Sequence, residues 1–258
     1  MDKKLADHLW TARWAITNNK KEVAYDEVTK ALVHIGAEGE AEVDRPSVTP
    51  PKVESPKFEE PNFVVVKGVK FKNQKNYNTA SKQFEGLVVH YTVSGRSASS
   101  AKAVLKWLAD SNLGCMVMDE NGLIYIPEGF DIFKHYSSHA GVSKWGNRTS
   151  MSQYFAGMEI CCWGLGQGKG GTYRKVTTKQ GYVVAGNYQA FTEAQEKSLV
   201  NFILWAKSKN PNFSLDNVVG HDELRREAGK LGDKQDAGGS LSMPMPEFRK
   251  HIKELWNK

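Results

Sequence analysis

Val88-Val89-His90-Tyr91-Thr92 is an apolar run that ends on a histidine flanked by an aromatic and a hydroxyl residue. Its composition and length predict a buried strand that delivers His90 at its end. Alone, a histidine in that place is as readily a packed structural residue, since imidazole is accommodated once one ring nitrogen finds a hydrogen bond. His90 stands out because a second histidine, His221, ends another short apolar run in Val218-Val219-Gly220-His221-Asp222-Glu223, and Asp236 follows a little further on. Two histidines and one aspartate are the donor set of a catalytic zinc that leaves a fourth position to water.

Working outward from this strand, Phe63-Val64-Val65-Val66 and Val69-Lys70-Phe71 predict an edge strand or a hairpin about Lys67-Gly68. Ala101, Val104, Leu105 and Leu108 mark an amphipathic helix, with N-caps offered by the serine-rich loop before it. Cys115 to Met118 and Leu123 to Ile126 predict two strands joined by a tight turn at Glu120-Asn121-Gly122. Beyond the loops from Pro127 to Gln153, Phe155 to Cys162 is a further apolar strand, and Tyr173 to Val184 suggests a hairpin. Thr192-Glu193-Ala194-Gln195 is a capping box opening a helix through Leu199, Ile203 and Ala206, and Pro246 opens a last helix carrying Phe248, Ile252 and Leu255. Strands alternating with helices imply an α/β fold, a central mixed sheet flanked by helices.

The chain has 258 residues, 40% of them hydrophobic, with no apolar run near the roughly 20 residues of a membrane span. We therefore expect no stable membrane insertion. The net charge of +6 is spread among acids rather than gathered in a block, and neither a stacking platform nor a basic motif supports nucleic-acid binding. Cys115, Cys161 and Cys162 have no framework spacing and are expected as buried thiols. The N-terminus shows no signal-peptide pattern, so any extracytoplasmic work would need another route out.

Apolar residues at helical spacing, from Leu5 to Ile16 and from Tyr25 to Ile35, predict a small helical hairpin over residues 1–37. It is too short to bury much surface alone, so it is expected to dock on a neighbour or self-associate. Residues 38–61 are rich in Glu and Pro and form the expected linker, leaving 62–258 as the main domain. The glycine-dense stretch from Gly164 to Gly171 lacks the strand-to-helix context of a phosphate loop. His135 and His139 have helical metal-pair spacing, but Ser137-Ser138 and Gly141 argue against a helix there.

Four motifs, His139-Ala140-Gly141-Val142-Ser143, Ala156-Gly157-Met158-Glu159-Ile160, Gly220-His221-Asp222-Glu223 and Lys234-Gln235-Asp236-Ala237-Gly238-Gly239, occur in the order seen in a known family. Between Phe84 and Trp256 the chain resembles the zinc-dependent N-acetylmuramoyl-L-alanine amidases, which include short phage lysozymes, the amidase of wall recycling and the peptidoglycan recognition proteins. The resemblance implies that His90, His221 and Asp236 hold Zn2+, with Asp233 as the alternative third ligand. It implies Glu159 as catalytic general base, Lys234 as the cation facing the developing oxyanion, and His139 and Tyr91 as substrate contacts. The catalytic tyrosine of the short phage lysozymes is absent, because Gly114-Cys115-Met116 stands in its place; Glu159 matches the recycling branch instead.

The implied activity is hydrolysis of the amide between N-acetylmuramic acid and L-alanine of peptidoglycan, expected in a phage endolysin or virion-associated lysin that is made in a host cytoplasm and reaches the periplasm or cell wall by holin-type release. The alternative is a protein that recognises peptidoglycan without cutting it. Loss of a ligand or of the base would indicate the latter, and His90, His221, Asp236, Glu159 and Lys234 are all present.

Overall fold

The computed structural model describes residues 58–78, 81–166, 170–177 and 182–258. The expected N-terminal hairpin and residues 38–57 of the expected linker lie outside them. Residues 58–61, which composition assigns to the linker, pack on the domain: Phe58 stacks on Trp256 at 5.5 Å, and the Glu59 carbonyl accepts from Asn201 Nδ2.

The strands are β1 (Phe63–Val66), β2 (Lys75–Asn76), β3 (Gly86–Tyr91), β4 (Met116–Met118), β5 (Ile124–Pro127) and β6 (His135–Tyr136). They continue as β7 (Lys144–Trp145), β8 (Arg148–Thr149), β9 (Phe155–Ile160), β10 (Tyr173–Val176), β11 (Gly186–Gln189) and β12 (Val218–Gly220). The helices are α1 (Ala98–Asp110), α2 (Glu193–Lys209), α3 (His221–Glu227) and α4 (Met245–Trp256). Six strands form one mixed sheet in the order β1-β5-β4-β9-β3-β12, as the alternation of elements predicts. Only β4 and β5 run antiparallel to each other in it, about the expected Asn-Gly turn. The buried Asp119 closes that turn, its Oδ1 accepting from the Asn121 and Leu123 amides and its Oδ2 from the Tyr125 hydroxyl.

β1 departs from the expected hairpin. It pairs parallel with β5, and Val69–Phe71 carries no strand. The turn at Gly68, with φ of +76°, leads the chain away instead, and the Val69 carbonyl is taken by the Glu128 amide. A four-residue apolar run cannot by itself announce which edge it will join.

Side chains alternate across β3, so Leu87, Val89 and Tyr91 enter one core while Val88 and His90 face the other way. The first core packs under α2 and α4, through Phe202, Ile203, Phe248 and Ile252 among others. On the opposite face α1 lays Ala101, Leu105 and Leu108 over Val117 and Tyr125. Beside it, Leu224 of α3 and Ala140 and Met151 of the connecting loops cover Val88, Phe155 and Val219. Both helix starts read from sequence have their caps: Ser97 accepts from the Ser100 amide, and Thr192 and Gln195 form the reciprocal box.

α3 begins directly at the end of β12, and a buried ion pair anchors it. Glu223 takes both guanidinium nitrogens of Arg249 at 2.6 and 2.8 Å, while its Oε2 also accepts from the Gly220 amide at 3.1 Å. Removing the cation strands a buried carboxylate, at a cost of about 3–5 kcal/mol. Arg249→Met is therefore expected to lower the unfolding free energy by about that amount in urea titration. A change below about 1 kcal/mol would show that the pair is not what fixes α3.

Candidate active site

The parallel register aligns three side chains that are far apart in sequence. His90 of β3 pairs with Glu159 of β9, Val89 pairs with Gly220 of β12, and His221 is the residue after Gly220. All three lie at the carboxyl ends of adjacent parallel strands, where open α/β sheets place their ligand sites. The loop after α3 returns Asp236 to this row.

His90, His221 and Asp236 are 2%, 5% and 9% exposed, so water cannot satisfy them. Asp236 Oδ2 lies 2.8 Å from His90 Nδ1 and 3.0 Å from His221 Nδ1. The three donor atoms fall within 4.8 Å of one another, a spread that one metal ion can span. The chemistry of the set fits a divalent cation of zinc's type: two imidazole nitrogens and a carboxylate oxygen, convergent and buried. Asp233, the alternative third ligand, is exposed and paired with Arg225 instead.

Burial alone would raise Asp236, but the His221 and His90 imidazoles beside it outweigh that and hold the carboxyl well below its ordinary range. Burial lowers His90, favouring the neutral imidazole that a metal needs. Glu159 behaves oppositely. Desolvation and the neighbouring Asp236 charge push it well above its usual value, against the pull of Lys234. Its Oε2 is buried with no hydrogen-bond partner among the described residues, an orphan that a reacting water or substrate group could satisfy. Lys234 is itself exposed, and its charge acts on both Glu159 and His90.

Two expectations about substrate contacts change. His139 is not free to bond a ligand through its ring: Nδ1 lies 3.1 Å from His90 Nε2 and Nε2 lies 2.9 Å from the Phe155 carbonyl. Tyr91 lines a groove beside Glu159, yet its ring belongs to the core on the face opposite His90 and packs against Gly164, where no Cβ would fit. Strand alternation decides the position of Tyr91, and the loop after β6 carries His139 against His90.

Sequence reasoning missed the other wall of that groove. Ala103, Val104, Trp107 and Leu108 of α1 line an open space of about 460 Å³ with Thr92 and Glu159. Trp107 is 60% exposed, and the signal was available, because it falls outside the stripe of Ala101, Leu105 and Leu108 that α1 buries. Cys115 was also missed as a neighbour: its sulfur approaches His90 and His139, and burial drives its thiol pKa well up.

Convergent histidines beside an ionised carboxylate, with a second carboxylate whose pKa is raised by burial in an adjoining groove, are a donor set that could hold a divalent cation. The family model described as N-acetylmuramoyl-L-alanine amidase matches residues 80–239, and the chain belongs to that family. No curated protein matches it. Among solved structures it is similar to AmpDh3 from Pseudomonas aeruginosa, at 19% identity over 71% of this chain and 65% of that one, with a TM-score of 0.43. It is similar also to the N-acetylmuramyl-L-alanine amidase AmiD from E. coli, at 18% identity over 61% and 53%, with a TM-score of 0.40. For the endolysin LysCS from Clostridium intestinale URNW the values are 14%, 76% and 99%, with a TM-score of 0.47. The chain thus spans 65% and 53% of the lengths of the first two structures.

Burial lowers His139 from 6.5 to about 3, with the His90 charge adding to the effect. Its ring resonances are expected to stay flat between pH 8 and 5 in an NMR titration, where an ordinary histidine half-titrates near 6.5. A His139 midpoint above 6 would show that the ring is not enclosed.

Proposed function

We propose that this chain hydrolyses the amide joining the lactyl group of N-acetylmuramic acid to L-alanine in peptidoglycan, with Zn2+ held by His90, His221 and Asp236. The observation that carries the reading is the row formed by Glu159, His90 and His221 across β9, β3 and the end of β12, closed by Asp236. Family membership supplies the reaction class. The complete donor set and the adjacent base favour cleavage over mere recognition of the wall.

When bound, zinc supplies Lewis acidity and lowers the pKa of a coordinated water toward neutrality. Burial keeps the His90 imidazole neutral, and Asp236, held well below the ordinary carboxylate range, is an anion, so both are already in the forms that a cation takes. Glu159, in its ionised form, takes a proton from the attacking water at its orphaned Oε2 and returns it to the alanine nitrogen as the C–N bond breaks, leaving a carboxylate and a free amine. Lys234 offsets the charge that grows on the amide oxygen. The open groove lined by Val104 and Trp107 accommodates one flank of the scissile bond beside Glu159.

The partner in this reading is the glycan strand with its stem peptide. We further place the activity in phage-mediated host lysis, acting on the wall after release from the cytoplasm. A separate N-terminal module of residues 1–37 and a linker would suit a lysin that concentrates its catalytic domain on the wall. No described helix is long and apolar enough to cross a membrane.

Mass analysis of digested peptidoglycan tests the reaction: new L-alanine amino termini are expected, and new reducing sugars would identify a glycosidase instead. Glu159→Gln is expected to retain zinc and the fold while losing about 10²- to 10⁴-fold in turnover. A variant that cuts at the wild-type rate would remove Glu159 from the chemistry. Activity that ignores chelation would remove the metal.

A further inference from the structure

Among the described residues, the ring of His139 is the imidazole beside the centre that no role in the reaction absorbs. It lies behind His90, on the side away from Asp236, and the two rings meet edge to face at an interplanar angle of 89°. A chain of four polar groups runs through them. Asp236 Oδ2 meets His90 Nδ1 at 2.8 Å, His90 Nε2 meets His139 Nδ1 at 3.1 Å, and His139 Nε2 meets the Phe155 carbonyl at 2.9 Å.

The far end of the chain fixes its direction. A carbonyl oxygen can only accept, so His139 Nε2 must carry a proton. A neutral His139 then offers a bare lone pair at Nδ1, and the partner there, His90 Nε2, must donate. A neutral His90 protonated at Nε2 has no proton at Nδ1. Its lone pair faces the anionic Oδ2 of Asp236 across 2.8 Å, and that contact is repulsive unless a cation joins the two atoms. With both rings neutral the hydrogen-bond direction therefore prepares a place for a metal ion rather than an internal salt bridge.

We propose that His139 is a positioning residue that fixes His90 in its Nε2-protonated tautomer and so turns the Nδ1 lone pair toward the metal. The ring nitrogen opposite a ligating one usually meets a carboxylate, a carbonyl or water, and such partners commonly set metal affinity within 10- to 100-fold. Here a second histidine fills that place and relays the backbone's demand. The inference rests on the proposed metal set of His90, His221 and Asp236.

Gly157 makes the arrangement sterically feasible. It sits on β9 on the same face as His90, and a Cβ there would come within 2.8 Å of His139 Cγ and 2.3 Å of Cys115 Sγ. Within the Ala156-Gly157-Met158-Glu159 segment, the glycine thus admits the relay while the glutamate two residues on lines the reaction groove. One strand supports both sides of the centre.

The test is zinc affinity of the full chain, measured by competition with a chromophoric chelator, with the fold checked by near-UV circular dichroism. His139→Leu removes the acceptor and is expected to weaken zinc binding by about 10- to 100-fold. His139→Asn keeps an acceptor at the Nδ1 position and is expected to bind within a few-fold of the wild type. Equal affinity in wild type, Leu and Asn variants would overturn the proposal, as would equal losses in both variants. Should the Leu variant not fold, ¹⁵N-histidine NMR of the zinc-loaded wild type decides directly: His90 Nε2 and His139 Nε2 are expected to carry the protons, and a proton on His139 Nδ1 would overturn the proposal. A wild-type chain that binds no zinc would instead defeat the metal reading on which the proposal rests.

Discussion

The structure depends on parallel pairing of β3 with β9 on one side and β12 on the other. Side chains in a strand alternate, and parallel neighbours in register bring like faces together. His90, Glu159 and the residue following β12 are therefore held side by side wherever the apolar residues between them are buried. A slip of one residue in β9 would turn Glu159 into the core beneath α2 and expose Met158 to the groove. Leu87, Val89, Met158 and Ile160 enforce the register from the other face. The hydrophobic pattern and the chemical site are thus one constraint read from two sides.

Placing ionisable groups in such a row is costly, because burial disfavours charge, and the two carboxylates meet that cost differently. Asp236 is held in the low carboxylate range with two imidazole nitrogens closing on one of its oxygens, the place that a cation would share. Glu159 has no such partner at Oε2, so burial and the Asp236 charge drive it toward the neutral form, with Lys234 opposing them. Two carboxyls near each other but in unlike surroundings acquire unlike duties: one suited to hold a cation, the other to exchange a proton.

Much of this was legible because it rests on local chemistry. The run Val88 to Thr92 announces a buried strand, Asn121-Gly122 announces its turn, and Thr192 with Gln195 announces the start of α2. The carboxylate choice was legible only from context, since Asp233 and Asp236 are equivalent as residue types; the structure separates them by giving Asp233 to Arg225. Non-local pairing was not legible. Nothing within Phe63 to Val66 encodes its parallel partner β5, and nothing near Phe58 encodes Trp256, so an expected hairpin and a linker boundary both shifted. His139 illustrates a different limit. Its motif suggests a role near the site, but only the positions of His90 Nε2 and the Phe155 carbonyl show that both ring nitrogens are spent internally.

α1 shows how the same reasoning extends from scaffold to surface. The helix needs Ala101, Leu105 and Leu108 to cover Val117 and Tyr125, and that requirement fixes its rotation about its own axis. With the rotation fixed, Val104 and Trp107 are carried to the edge that overlooks Glu159 whether or not they contribute to stability. A large aromatic 60% exposed gains little for the fold, since most of its surface stays in water. Its position therefore makes more sense as part of the groove than as part of the core, and the rotation that the buried stripe imposes is what sets it beside Glu159.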